Sequence, residues 1–209
     1  MIEPARGPIR AVVTLVVSTI GFATALALRD TIDPWRSTAV AAVLGTVLAV
    51  WTLGPRLRGL RSVTPRGAAV AVALGVALVA ATHAAFQLAH LAWPELVGSV
   101  RGLYLSIDVG VSRAPLALLT IIIVIGEELV WRGVAIDLVR DLPRPVVGAI
   151  SVALYVAPQL PGHVPVLIAA AAALGAIFAA QRLITGRLTD AILTHAIWSV
   201  AVFVVVPVS

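Results

Sequence analysis

Seven stretches of about twenty predominantly apolar residues follow one another along the chain, separated by short segments in which arginine, proline and glycine collect. About twenty apolar residues is what an α-helix needs to cross the hydrocarbon core of a bilayer. The pattern predicts spans at about Ala11–Leu28, Ser37–Leu53, Gly67–Ala92 and Pro115–Val139, then from Pro145 to about Leu160, Val164–Gln181 and Leu188–Val206. The first, behind Arg6 and Arg10, carries an Ala25-Leu26-Ala27 that resembles a cleavage site, but its apolar core is long for a signal peptide and six spans follow. It therefore reads as an anchor. Between Glu95 and Arg113 the chain is mixed, and either a loop or an interfacial helix around Val97–Ile107 fits it. Pro158 and Pro161 disturb the end of the fifth span, and the alanine-rich sixth can pack closely against neighbours.

Composition agrees with this pattern. The chain is 60% apolar and 12% charged over 209 residues, which fits an all-α, polytopic membrane helix bundle of about seven transmembrane helices and no soluble class. Cysteine is absent, which excludes thiolate zinc sites and cysteine nucleophiles, so any nucleophile is water, Ser or Thr.

All fifteen basic residues are arginine, and the formal net charge of +5 sits in the short loops. This charge reports orientation in the bilayer and argues against nucleic acid as a partner. One side holds Arg6, Arg10, Arg56, Arg58, Arg61, Arg66, Arg140, Arg144, Arg182 and Arg187; the other holds Arg29, Arg36, Arg101 and Arg113. Cytoplasmic loops carry the excess, so the N-terminus is expected inside and the C-terminus outside, with the site facing the cytoplasm.

The chemistry concentrates in the fourth span. Glu127, Glu128 and Arg132 lie inside an apolar run, where each ionisable group is costly unless paired or hydrated, and where a functional site is the default reading. Glu128 and Arg132 are one helical turn apart and can pair, leaving Glu127 about 100° round to face something else. Other polar residues at membrane depth are His83, Gln87 and His90 in the third span, Tyr155 and Gln159 in the fifth, and His195 and Ser199 in the seventh. Together they can build one polar cavity. The bland alternatives are a packing ion network in the fourth span, an interhelical hydrogen bond at His195, a polar seam on the third span and a loop position for His163. Asp108 and Asp190 read as solvated loop or helix-end acids.

Glu127-Glu128-x-x-x-Arg132, followed by a histidine in the last span, resembles the CPBP family of intramembrane proteases, also called the Abi or type II CAAX prenyl endopeptidase family. Its second motif, Phe-x-x-x-His, is altered here to Tyr155 and Gln159, and its third, His-x-x-x-Asn, to His195 and Ser199. Phe86-Gln87-Leu88-Ala89-His90 spells the second motif but precedes the first, and reads as coincidence. The resemblance divides the chain into N-terminal spans, 1–114, and a CPBP-like core of four spans, 115–209. It implies that Glu127 activates water, that His195 and Ser199 orient it or stabilise the oxyanion, and that Glu128 and Arg132 form a bidentate pair that holds the site together.

Gln159 can donate a hydrogen bond but cannot exchange a proton or readily bind a metal, so it disfavours a divalent ion such as zinc, and no other cofactor is implied. The implied protein is an endopeptidase of the bacterial cytoplasmic membrane acting on membrane-associated peptides or proteins. Two rival readings stand beside it: a catalytically silent member that binds a membrane partner or confers bacteriocin immunity, and a proton-coupled transporter. The second lacks the inverted halves with paired broken helices that such carriers show.

Overall fold

The structure, a computed structural model, describes residues 6–92, 98, 100 and 112–208, and every regular element among them is helical. Among the described residues seven helices are long and apolar enough to cross a membrane: Gly7–Ala27, Pro34–Leu53, Pro65–Leu91, Arg113–Leu138, Arg144–Gly162, Pro165–Thr185 and Leu188–Val205. These match the seven expected spans to within a few residues. The mixed segment predicted between Glu95 and Arg113, including Asp108, lies almost wholly outside the described residues.

In chain order the elements are α1 (Arg6–Ala27), α2 (Pro34–Leu53), the short α3 (Arg56–Leu60), α4 (Pro65–Ala92) and α5 (Arg113–Glu127). α5 runs on through a π-helical turn, Glu128–Val134, into α6 (Ala135–Leu138). α7 (Arg144–Val156) tightens into a 3-10 turn at Ala157–Gly162, α8 is Pro165–Thr185, and α9 (Leu188–Val200) ends in a second π-helical turn, Ala201–Val205.

The helix boundaries follow local chemistry. Asp33 caps α2 by accepting from the Arg36 amide at 3.0 Å, and Pro34 fills the first position, where a missing N–H costs nothing. Gly186, at φ 70°, closes α8 in the left-handed conformation that terminates helices. Pro158 and Pro161 coincide with the 3-10 turn, and His163 follows it exposed at φ 51°, a loop position as expected.

The fourth and seventh spans are the most enclosed, each with half of its apolar window buried, against 17% for the third. The two helices bearing the acid cluster and His195 thus stand in the centre, and α4 lies at the periphery. Gly126 makes that enclosure possible: a Cβ there would fall 2.5 Å from the Ala42 carbonyl oxygen, so α2 and α5 touch backbone to backbone. Ser18, Ala42 and Val130 continue the same seam. Polar bridges tie α4 to α9, where Thr194 donates to the Ala71 carbonyl at 3.1 Å and Trp198 Nε1 donates to Thr82 at 2.9 Å.

Candidate active site

The centre is built from the π-helical turn of the fourth span. Such turns are rare and collect at functional sites. Ser151 of α7 donates to the Trp131 carbonyl at 2.8 Å, giving the turn's backbone an outside partner in an apolar interior. Within it Glu128 and Arg132 are both fully buried, and Glu128 Oε1 lies 3.3 Å from Arg132 Nη1. The expected pairing is there but is not bidentate. Glu128 Oε1 also sits 2.9 Å from His195 Nδ1, so a single oxygen serves both arginine and histidine, and the histidine takes the place of the second prong.

Arg132 has further neighbours, although its Nε meets no hydrogen-bond partner among the described residues. Its Nη2 donates to the Gly175 carbonyl at 3.3 Å, and its guanidinium lies 4.1 Å from the Tyr155 ring centre and 5.5 Å from that of Phe178. Desolvated cation–π contacts of this kind are worth about 2 kcal/mol. Gly175 is required for this packing, because a Cβ there would stand 2.9 Å from Tyr155 Cδ1 and 3.3 Å from Arg132 Nη2.

His195 is fixed as firmly. Its ring stacks on Phe178 with centres 4.4 Å apart and planes inclined by 22°, and it meets Tyr155 edge-on. With Glu128 as a carboxylate, which only accepts, it is Nδ1 that donates in that bond. Nε2 is thereby turned toward Glu127 Oε2, 3.8 Å away. Tyr155 Oη donates to the same Glu127 oxygen at 3.4 Å. Glu127 does face something other than Arg132, namely a histidine and a phenol. Two carboxylates and one guanidinium thus meet in one buried site, with the His195 ring between the two acids.

A cavity of about 130 Å³ adjoins Glu127 and His195 and is lined also by Tyr155, Gln159 and Ser199. Apart from Thr120 the rest of its wall is mainly apolar, with Leu167, Ala170 and Leu174 of α8 on one side and Trp35, Trp198 and Phe203 on another. Of the six residues expected to be catalytic, Glu127, Gln159, His195 and Ser199 line the cavity, while Glu128 and Arg132 stand behind it, Glu128 through its contact with His195. The cavity lies toward the Gly162 end of the fifth span, where Gln159 stands. The reason is that side chains lean toward their helix N-terminus, so Glu127 reaches back toward the Arg113 end of α5. This corrects the expectation of a site facing the arginine-rich ends.

Two further expectations, that His83, Gln87 and His90 join the cavity and that Asp190 is solvated, are corrected. His83, Gln87 and His90 do not line the cavity, and Gln87 and His90 are exposed on the peripheral α4. Phe86 packs in the apolar cluster around Phe178, so the literal second motif on α4 is a packing residue followed by a surface histidine. Asp190 is not solvated: it is buried and pairs with Arg187 at 2.7 Å. Residues not singled out in the sequence include Phe178, Gly175 and Trp35. Phe178 left a faint signal as the only aromatic in the alanine-rich α8.

A divalent ion bound as a catalytic zinc takes three protein ligands. Nδ1 of His195 and Oε1 of Glu128 are engaged with each other, Glu128 Oε2 is buried behind the cavity, and beside Glu127 and Nε2 the next position along the cavity is an amide, Gln159. Among the described residues no group of three His, Cys, Asp or Glu side chains is arranged for a metal, so the donors present do not fit one.

Fold and site define a class, that of seven-span membrane proteins with a buried acid, arginine and histidine centre at one end of the bundle. The family model of the type II CAAX prenyl endopeptidases, Rce1-like, matches residues 110–201. That stretch contains every motif residue of the site, and over it the chain is similar to the Rce1-like type II CAAX prenyl endopeptidases. No curated protein and no solved structure matches the chain.

Proposed function

We propose that the protein is an intramembrane endopeptidase that hydrolyses peptide bonds of membrane-associated substrates with water activated by Glu127. The observation that carries this reading is the His195 ring fixed between two carboxylates, Glu128 at 2.9 Å and Glu127 at 3.8 Å, against a partly polar cavity. In the proposed reaction Glu127 takes a proton from a water that His195 Nε2 helps to orient. The water oxygen bonds to the carbonyl carbon, and the carbonyl electron pair moves to its oxygen. Tyr155, Ser199 and the Gln159 amide are the donors available to that oxyanion. Glu127 then returns its proton to the amide nitrogen as the C–N bond breaks, releasing an amine and an acid. A positioned acid–base group contributes about 10²–10⁴ in rate, and an oxyanion donor about 10²–10³.

The test is cleavage of a panel of membrane-peptide reporters by purified protein in detergent, comparing the wild type with Glu127→Gln. Cleavage by the wild type that falls at least about 100-fold in the variant supports the reading. Cleavage equal in both overturns it. Gln159 favours a second reading, a silent member that binds a membrane partner, because the residue cannot relay a proton. The proposed setting is a bacterial cytoplasmic membrane with the N-terminus cytoplasmic, from ten arginines against four in the loops.

A further inference from the structure

The rim of the cavity is built at one end of the bundle. Trp35 is in the first turn of α2, Leu167 in the first turn of α8, Gln159 in the last turn of the fifth span and Phe203 in the last turn of the seventh. Successive spans alternate in direction, so the starts of even spans and the ends of odd spans share a face. Contacts agree: the Trp35 and Phe203 rings meet edge-on at 5.6 Å, and Arg29, just after α1, donates to the Gly162 carbonyl. The arginine-rich loops close the opposite end, where Arg56 pairs with Asp137 at 2.7 Å and Thr189 donates to the Ser62 carbonyl at 2.8 Å. Between cavity and arginine-rich end lies the sealed layer of Glu128, Trp131, Arg132 and Val134, each fully buried.

From these two positions we infer that the site is entered from the non-cytoplasmic side, and that its substrates are membrane-anchored peptides whose cleavable bond lies in or beyond the outer leaflet. The positive-inside rule assigns the arginine-rich end to the cytoplasm, and the cavity rim stands at the other end. The half-buried Leu167 and Ala170 give the substrate segment an apolar wall, and Gln159 and Ser199 give its backbone polar partners at the same depth. This inference rests on the reading of the cavity as the place of hydrolysis only for its substrate class; the direction of entry stands on geometry and charge.

The absence of native cysteine allows a direct test. Single variants Leu160→Cys at the rim end, Ala170→Cys in the cavity wall and Gly59→Cys in α3 are made in the full chain, and a membrane-impermeant thiol reagent is applied to intact and to permeabilised cells. Leu160 is 51% exposed, and a side chain at Gly59 meets nothing within 4 Å, so neither change disturbs packing. The expected result is full labelling of the Leu160 and Ala170 variants in intact cells, with the Gly59 variant labelled only after permeabilisation. The reverse pattern for Leu160 and Gly59 overturns the orientation, and an Ala170 variant labelled only together with Gly59, or unlabelled under both conditions, overturns the direction of entry. Detergent removes sidedness, so reporter cleavage there reports on hydrolysis alone. In cells, a reporter with its cleavable segment outside should be cut, and its mirror image with that segment in the cytoplasm should not. Preferential cutting of the cytoplasmic reporter overturns the substrate class even where detergent cleavage upholds the enzyme.

Discussion

His195 Nδ1 lies 2.9 Å from Glu128 Oε1, and the same oxygen lies 3.3 Å from Arg132. One buried carboxylate therefore orients the histidine and neutralises the arginine at once. Adjacent acids thereby acquire different duties. Removing the charge of Glu128 leaves Arg132 buried without its counter-ion, a change that typically costs 3–5 kcal/mol. Removing that of Glu127 leaves this triad intact. Glu128→Gln should lower the unfolding temperature in detergent and abolish cleavage together, whereas Glu127→Gln should abolish cleavage with the unfolding temperature held or raised. Thermal unfolding of both variants beside the reporter assay separates the two roles.

Tyr155 also does two things through separable atoms. Its hydroxyl donates to Glu127 at 3.4 Å, and its ring lies 4.1 Å under the Arg132 guanidinium. Tyr155→Phe removes only the first. We expect a drop of about 3- to 30-fold in kcat with unfolding unchanged, since a hydrogen bond to a charged group is worth about 1.5–3 kcal/mol and the contact here is long. Tyr155→Ala should also destabilise the protein, because the cation–π face and the His195 edge contact are lost with the ring. Equal unfolding temperatures for the two variants would count against the ring's structural part.

What was legible in the sequence follows from what the bilayer imposes. Span number and position are readable because apolar length is dictated by membrane thickness, and Glu127, Glu128, Arg132 and His195 stand out because charge at that depth is rare. The pairing of Glu128 with Arg132 follows from helical periodicity. The shared use of Glu128 Oε1 does not, since it depends on how far α9 approaches α5. Nor does the π-helical turn, as Gly133 alone in Glu128–Val134 weakens a helix by composition and does not specify that widening. The peripheral place of His83, Gln87 and His90 was hidden for a similar reason. Their spacing puts them on one helix face, but only packing decides whether that face turns inward or outward.

Gly175 is the position where packing and site meet most tightly. It sits on α8 with its carbonyl accepting from Arg132 and no room for a side chain. Gly175→Ala would press on Tyr155 at 2.9 Å, and the ring cannot retreat without leaving the guanidinium. Overpacking of this kind costs about 1–3 kcal/mol. The expected outcome is a lowered unfolding temperature together with a fall in kcat. Gly148→Ala, whose Cβ would meet only Leu183 at 3.4 Å, should change neither and serves as the control on another helix.

Gln159 decides between an enzyme and a silent binder, and its surroundings make the substitution informative. It lines the cavity beside Glu127 and His195 on the 3-10 turn after α7, half-buried, so a ring placed there has space at its outer edge. Gln159→His adds a group that can both donate and exchange a proton. An enzyme limited by this position should gain about 10-fold or more in kcat/KM, within the range of a positioned acid–base group. A scaffold should show no cleavage before or after the change, and its partner binding should be unmoved. The same substitution raises the donor count from two toward the three that a catalytic divalent ion takes. Chelator should therefore leave any wild-type cleavage unchanged, and sensitivity to chelator should appear first in Gln159→His. Wild-type cleavage lost to chelator and restored by zinc would show that a metal is held by donors other than Glu127 and His195 alone, and would shift the water's activation from the carboxylate to the ion.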